Sequence, residues 1–320
     1  MRARLRYNLP PPSGKLNGVS VDQDSPGLSP FAFHAQHGFT PSDLSAELLT
    51  GFAACTAEVS VLLRNARESA EPPRLEAHGF TLLDDCAHAD AVEHEWLRDD
   101  RHVQEVYYRE AEGMAKKAMP GAVAAFAFNH VRRISRHSQG DSQQPRHAPA
   151  ISAPSYMVHA DCTPSSWAAR VKEIEDFAKA GPPGLSAAQG EVLASAGRVV
   201  IMNLWRLISS FRQPSPTHLA LCDVRSVDLK SALPYHFLIN GFLGTNYGLD
   251  MHAAAAHEWY YFPELAAHEV VAFKAYDSLH EASNGPAFTF HAAVDDQSAL
   301  DGGCAPRESI EVRVALAFPA

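Results

Sequence analysis

His159 and Asp161 stand two residues apart, His291 follows far downstream, and Arg307 and Ser309, again two apart, come after that. Two imidazoles and one carboxylate on one face of an Fe(II) ion leave three coordination positions open for an oxidising cosubstrate and O₂. A guanidinium fork backed by a hydroxyl is what a dicarboxylate such as 2-oxoglutarate needs as an anchor. The chemistry implied is non-haem iron oxidation, with His159, Asp161 and His291 as metal ligands and hence catalytic residues, and Arg307 and Ser309 as cosubstrate ligands.

Spacing alone is weak support. With 17 histidines and 37 acidic residues in 320, about two H-x-[DE] triplets arise by chance, and His88-Ala89-Asp90 has the same spelling. Context separates the copies. Asp90 lies in the polar stretch DDCAHADAVEHEW, where it serves as a helix N-cap. His159 and Asp161 lie in SYMVHADCTPSSW, read as a strand that ends at Pro164, so both side chains point to one face. A surface hydrogen-bonded pair is the competing reading. His291 sits in the apolar strand AFTFHAAVDD, either satisfied in the core or used.

In PRESIEVRVALAF, alternation puts Arg307, Ser309, Glu311 and Arg313 on one face and Ile310, Val312 and Val314 on the other. A solvated polar face is the plainer alternative, and Arg313 is the alternative anchor if the register differs. Asn203 and Trp205 share a strand face and are candidates to hold cosubstrate or substrate, as are Tyr156, Tyr261 and Arg132 for substrate. His130, Arg132 and Arg133 could meet an anionic substrate or form a surface basic cluster. His257 with Tyr260 and Tyr261 is the runner-up ligand cluster, read as a network behind the metal. Lys274, Tyr276 and Ser278 alternate and could line the cavity. Cys162, beside Asp161, is read as a packing residue.

The elements that must position these groups read as follows. Residues 1–40 are rich in Pro, Gly and Ser and are expected to form an extended arm. Residues 41–320 form one domain: mostly helical support to residue 135, a loop or lid over 136–153, then a strand-rich core from 154 onward. Helices are expected over Thr40–Arg67, capped by Ser42 or Asp43, over Asp90–Lys117, ended by Pro120-Gly121, and over Ser165–Ala180 and Ser186–Ala196. Strands are expected at HGFTLLDD (78–85) and AVAAFAFNHVRRIS (122–135). In the C-terminal half they are expected at RVVIMNLWRLI, THLALCDVRSV, EWYYF, EVVAFKAY, AFTFHAAV and SIEVRVALAF. That many short strands suggest an antiparallel sandwich or barrel flanked by helices.

Composition bounds the function. The formal charge of −10 disfavours nucleic acid as a partner, and no stretch approaches the ~20 apolar residues of a membrane span. The start, MRARLRYNLPPPSGK, has prolines where a secretion signal needs an apolar run, so a cytoplasmic location is expected. Five cysteines, odd in number and never spaced C-x-x-C, argue against a disulfide framework or structural zinc. A homodimer is the default expectation.

His-x-Asp, a late strand His and then Arg-x-Ser is the ligand order of the Fe(II)/2-oxoglutarate oxygenases. Longer phrases carry a closer resemblance. HGFTLLDD, GRVVIMNLWRLIS, THLALCDVRSVD, HEWYYFPELAAHEVVAFKAYDS and FTFHAAVDD with PRESIEVR resemble the hydroxylase/desaturase family of fungal and bacterial secondary metabolism, from about His78 to the C terminus. The resemblance implies a double-stranded β-helix (jelly-roll) core in an α+β fold. It also implies Fe(II), 2-oxoglutarate and O₂ as cofactor and cosubstrates, and a small, largely apolar natural product as substrate. It implies His159, Asp161 and His291 as iron ligands. Two positions depart from the family's phrasing: Glu258, where an arginine often follows the histidine, and Ala292-Ala293, where HTAF is usual. A zinc hydrolase and a non-catalytic β-barrel binding protein are the rival readings of the same residues.

Overall fold

The computed structural model describes residues 1–8, 14–16, 19–21, 56–85, 94–135, 151–152, 154–163, 184–208, 216–239, 242–280, 287–296 and 306–319. Its strands are β1 (Arg2–Asn8), β2 (Gly14–Leu16), β3 (Val19–Val21), β4 (Thr56–Asn65), β5 (Phe80–Asp84), β6 (Ala124–Ile134), β7 (Ile151–Ser152) and β8 (Arg198–Leu207). These continue as β9 (Thr217–Cys222), β10 (Ala232–Ile239), β11 (Phe242–Leu249), β12 (Trp259–Tyr261), β13 (Glu269–Asp277), β14 (His291–Asp295) and β15 (Glu308–Phe318). The helices are α1 (Leu75–His78), α2 (Tyr108–Ala118) and α3 (Ala187–Ala194).

Two sheets carry the fold. One runs β5-β13-β8-β15-β6-β7, the other β1-β4-β12-β9-β14, with β10-β11 and β2-β3 as separate pairs. The second sheet is nearly closed: segment 155–160 bridges His159 to His291 on β14 and Met157 to Arg6 on β1. The architecture is the expected jelly roll in an α+β fold.

The central strands of the six-stranded sheet are apolar on both faces because both faces are covered. Outward, Val200, Met202 and Leu204 of β8 and Ile310, Val312, Val314 and Leu316 of β15 pack with Tyr108, Ala111 and Ala115 of α2. Each large apolar side chain buried there contributes roughly 1.5–3 kcal/mol. Inward, Trp205, Val271 and Phe273 meet Leu221 and Tyr260 of the facing sheet. All six C-terminal strand runs form strands, as do 78–85 and 122–135 in their cores. Ser186 caps α3 with Gln189 in a capping box.

The N-terminal third differs from its sequence reading. Thr56–Asn65, inside the expected helix Thr40–Arg67, is strand β4. Its leucines and valines fit a helical period, but Val61 and Leu63 are buried while Leu62 is 60% exposed, an alternation of two imposed by pairing with β1. The expected arm begins as an integral strand. In β1, Ala3, Leu5 and Tyr7 are buried and alternate with exposed Arg2, Arg4 and Arg6, so arginines conceal a half-buried strand. The region 41–135 thus carries β4, β5 and β6 beside its helices. The expected helix Asp90–Lys117 arrives later, as a turn at Glu95–Arg98, an Asp99-capped Asp100–His102, a π-helical turn Val103–Tyr107, and α2. Asp90, His88, the bulk of the 136–153 loop and the helix Ser165–Ala180 lie outside the described residues. The hairpin β10–β11 had no place in the sequence reading, although Asn240-Gly241 between two apolar runs is a strong hairpin signal.

Candidate active site

β-Pairing lines up three rows of side chains on the inner face of the six-stranded sheet. Phe273, Asn203, Arg313 and Asn129 stand in register across β13, β8, β15 and β6. One step along come Val271, Trp205, Glu311 and Val131, and then Leu207, Ser309 and Arg133. On the facing sheet His291 is in register with Leu221, and Leu221 with Tyr260. Segment 157–161 brings His159 against His291 through paired backbone hydrogen bonds of 3.1 and 2.9 Å. That segment is extended, as expected, but is held by isolated bridges rather than a regular strand.

The donor atoms of His159, Asp161 and His291 lie within 4.8 Å of one another, and all three residues are buried. The imidazole centroids are 4.3 Å apart, and His159 Nε2 is 3.6 Å from Asp161 Oδ1. Each ring is oriented from behind by a carbonyl two residues upstream. His159 Nδ1 is 2.7 Å from the Met157 carbonyl, and His291 Nδ1 is 3.1 Å from that of Thr289. A proton on Nδ1 satisfies those carbonyls and leaves each Nε2 as a lone pair, the tautomer a metal needs. Burial, with His291 adding to it, lowers His159 to about 4, and burial likewise lowers His291. Both rings are neutral at physiological pH and available as ligands.

Asp161 is fixed through its other oxygen. Asn203 Nδ2 donates to Oδ2 at 2.7 Å, and Arg313 Nη2 approaches it at 3.3 Å. Arg313 is itself tied to Glu311 at 2.9 Å and to Asn129 at 3.1 Å. Burial opposes its charge, but Asp161 and Glu311 raise its pKa overall. Arg313 is therefore the clamp of Asp161. The expectation of Arg313 as an alternative cosubstrate anchor is corrected, because its fork is occupied.

Arg307 is the contrasting case. It is 1% exposed, yet its guanidinium donates to one neutral group, the His218 carbonyl at 3.1 Å, and lies 5.4 Å from the Trp205 ring centroid. Among the described residues its Nε and the neighbouring Ser309 Oγ are buried with no partner. Burial, with Arg133 adding to it, lowers Arg307 to about 10. A buried cation with a hydroxyl beside it and no paired carboxylate is a binding site for an anion.

The remaining candidates divide. Asn203 and Trp205 share the inner face, and Asn203 Oδ1 is a second buried acceptor with no partner among the described residues. Tyr156 donates to Asp295 Oδ1 at 3.2 Å, a carboxylate that Thr217 also holds at 2.6 Å. Tyr261 faces away; its neighbour Tyr260 is the one in register with Leu221 and His291. Arg132 is also corrected. It faces outward and binds Asp100 and the Arg98 carbonyl, because strand alternation turns Arg133, not Arg132, inward beside Ser309. His257 is a network residue remote from ligation: its ring stacks on Tyr7, whose hydroxyl also accepts from Trp259 at 2.8 Å. Lys274 does not line the cavity. A bulge between Lys274 and Tyr276 breaks the alternation, and Lys274 pairs with Glu76 and Asp277 instead. Cys162 packs in the core.

Phe273 was missed by sequence reasoning, although its ring lies 4.6 Å from that of His291. Gly79 was also missed as a support. It has φ +87 and receives the Thr289 hydroxyl on its carbonyl at 2.8 Å, and a Cβ there would lie 2.5 Å from Thr289 Oγ1. Thr289 in turn orients His291, so the glycine of HGF supports the site at one remove.

Comparison with known proteins agrees with this architecture. The chain is 28% identical over 271 residues to the hydroxylase/desaturase efuI of Hormonema carpetanum, covering 79% of this chain and 81% of that one. It superimposes on the iron and alpha-ketoglutarate-dependent endoperoxidase NvfI with a TM-score of 0.67 at 19% identity, covering 100% of this chain and 98% of the other. A different conformation of that enzyme gives a TM-score of 0.70 at 19% identity over the same coverage. Residues 30–318 match the family described as oxidoreductase/YMDC permease-like domain, and the chain belongs to that family.

Proposed function

We propose that this chain is an Fe(II)/2-oxoglutarate-dependent oxygenase that oxidises an unactivated C–H bond of a small, largely apolar natural product. The observation that supports it most is the pairing of two features. Two neutral histidines and one clamped carboxylate present free donor atoms together. On the same strand as the clamp stands a buried arginine and hydroxyl with no anion between them. A zinc hydrolase would have use for the first and none for the second, and a binding barrel would have use for neither. The relatives named above are a hydroxylase/desaturase and an endoperoxidase, which spans the outcomes this chemistry permits.

In this reading His159 Nε2, His291 Nε2 and Asp161 Oδ1 hold the iron, which with 2-oxoglutarate and O₂ supplies the oxidant. The protein supplies orientation. Arg307 and Ser309 take the far carboxylate of 2-oxoglutarate, and Trp205 holds the guanidinium plane from its face. Asn203 and Arg313 keep Asp161 ionised and turned toward the histidines. Phe80, Phe273, Leu219, Leu221 and Tyr260 form an apolar wall beside His291 that excludes water and suits an apolar substrate. The partner is a small molecule rather than nucleic acid, in keeping with the charge of −10. No helix among the described residues is long and apolar enough to cross a membrane. A cytoplasmic homodimer completes the proposal.

Anaerobic addition of Fe(II) and 2-oxoglutarate tests it, read as a visible metal-to-ligand charge-transfer band. The band is expected in the wild type and absent in Arg307→Ala. Iron uptake without a band in the wild type would rule out 2-oxoglutarate as cosubstrate.

A further inference from the structure

Arg133 is a second cation of the site. Register across β6 and β15 sets it opposite Ser309, on the same inner face as Arg307, Glu311 and Arg313, while Arg132 beside it points outward to Asp100. On its other side it is in register with Ser152 of β7, two residues before the segment that carries His159 begins. It is half-buried, unlike Arg307, so a molecule entering from solvent can reach it. Its positive field is felt by His159, His291, Arg307 and Glu311, four buried groups from both sheets. An arginine on the surface of the barrel would act on none of them.

Two guanidiniums facing one cavity repel each other, and Arg307 already carries the cost of burial. An anion on the Arg133 side, added to the dicarboxylate end at Arg307 and Ser309, lowers that repulsion further. Apolar residues flank the cations on the facing sheet: Leu219, Leu221 and Tyr260. A molecule that satisfies both surfaces has an apolar body and one anionic end.

We infer that Arg133 binds a carboxylate, and that this carboxylate belongs to the substrate, an apolar organic acid. The inference rests on the oxygenase reading. The other source of the same chemistry is the metal-proximal carboxylate of 2-oxoglutarate itself.

The full chain, metal-free, is titrated with 2-oxoglutarate and followed by tryptophan fluorescence, since Trp205 stacks on Arg307 and reports its occupancy. At saturating 2-oxoglutarate it is then titrated with decanoate and, separately, with decanol. The wild type is expected to bind decanoate at least about tenfold more tightly than decanol, the size of a modest charge-assisted contact. Arg133→Gln should abolish that preference and Arg133→Lys should retain part of it, both with unchanged 2-oxoglutarate affinity. A tenfold loss of 2-oxoglutarate affinity in Arg133→Gln would keep the carboxylate at Arg133 and assign it to the cosubstrate. Equal binding of decanoate and decanol in the wild type, together with unchanged 2-oxoglutarate affinity in Arg133→Gln, would overturn the inference. Arg307→Ala separates the two readings: if it too leaves 2-oxoglutarate binding intact, the oxygenase reading fails, whereas its loss there beside an inert Arg133→Gln sinks only the role of Arg133.

Discussion

Arg307 and Arg313 lie on one strand and one face, and both are buried, yet they are opposite kinds of arginine. Arg313 has two carboxylates and an amide around it, and its pKa is raised. Arg307 has a carbonyl and an indole ring, and its pKa falls to about 10. A buried charge whose partners are all protein belongs to the scaffold. One whose partners are missing costs stability unless something outside the chain completes it. The contrast locates the ligand more sharply than either residue's type or spacing does.

The largest effect expected from breaking it is on the clamp. Arg313→Ala leaves Asp161 and Glu311 as neighbouring buried carboxylates without their shared cation, and should destabilise the fold by about 3–5 kcal/mol. Denaturant unfolding measures it, and a loss below about 1 kcal/mol would place Arg313 outside the buried network. Arg307→Met should do the reverse at the other end of β15. Stability holds or rises because an uncompensated cation is gone, while 2-oxoglutarate binding weakens by about 2–5 kcal/mol. If both substitutions destabilise alike, Arg307 is structural and the anion site is misassigned.

Much of this difference was out of reach of the sequence. Alternation in PRESIEVR put both arginines on one face, and it could not say which had partners, because those partners, Asp161, Asn129 and the His218 carbonyl, come from three distant segments. The triad was legible because strands preserve local geometry: residues two apart share a face, and a histidine in an apolar strand must be satisfied somehow. Arg132 was chosen over Arg133 because the inward face of β6 depends on a bulge between Arg313 and Val314 in its partner strand, invisible in either segment alone. Lys274 misled for the same reason. The N-terminal strands were lost where arginines in β1, and helical spacing of leucines and valines in β4, concealed a period of two.

Smaller perturbations sharpen the comparison. Asn203→Ala removes the 2.7 Å donor to Asp161 and should cost roughly tenfold to hundredfold in metal affinity. Competition with a chelator reads it, and unchanged retention would mean Arg313 suffices as the clamp. Ser309→Ala should weaken 2-oxoglutarate by about 1 kcal/mol, the worth of one hydrogen bond to an anion already held by Arg307. An effect as large as that of Arg307→Met would make the hydroxyl, not the guanidinium, the anchor.

The least perturbing test changes only pH. Two kinds of cation lie near the proposed carboxylate: arginines, and histidines such as His218, which burial lowers below its usual range. If Arg307 is the anchor, with its pKa at about 10, it stays charged and 2-oxoglutarate stays fully ionised between about pH 6 and 9. Affinity of the metal-free protein should then be flat across that window. A protonated His218 would give the opposite sign, with affinity rising as pH falls through a pKa below about 6.5 and lost above it. Fluorescence titrations at half-unit steps distinguish the two. A flat profile in the wild type that vanishes with Arg307→Met assigns the binding energy to a permanently charged, protein-unpaired guanidinium, which Arg313 on the same strand is prevented from being by Asp161 and Glu311.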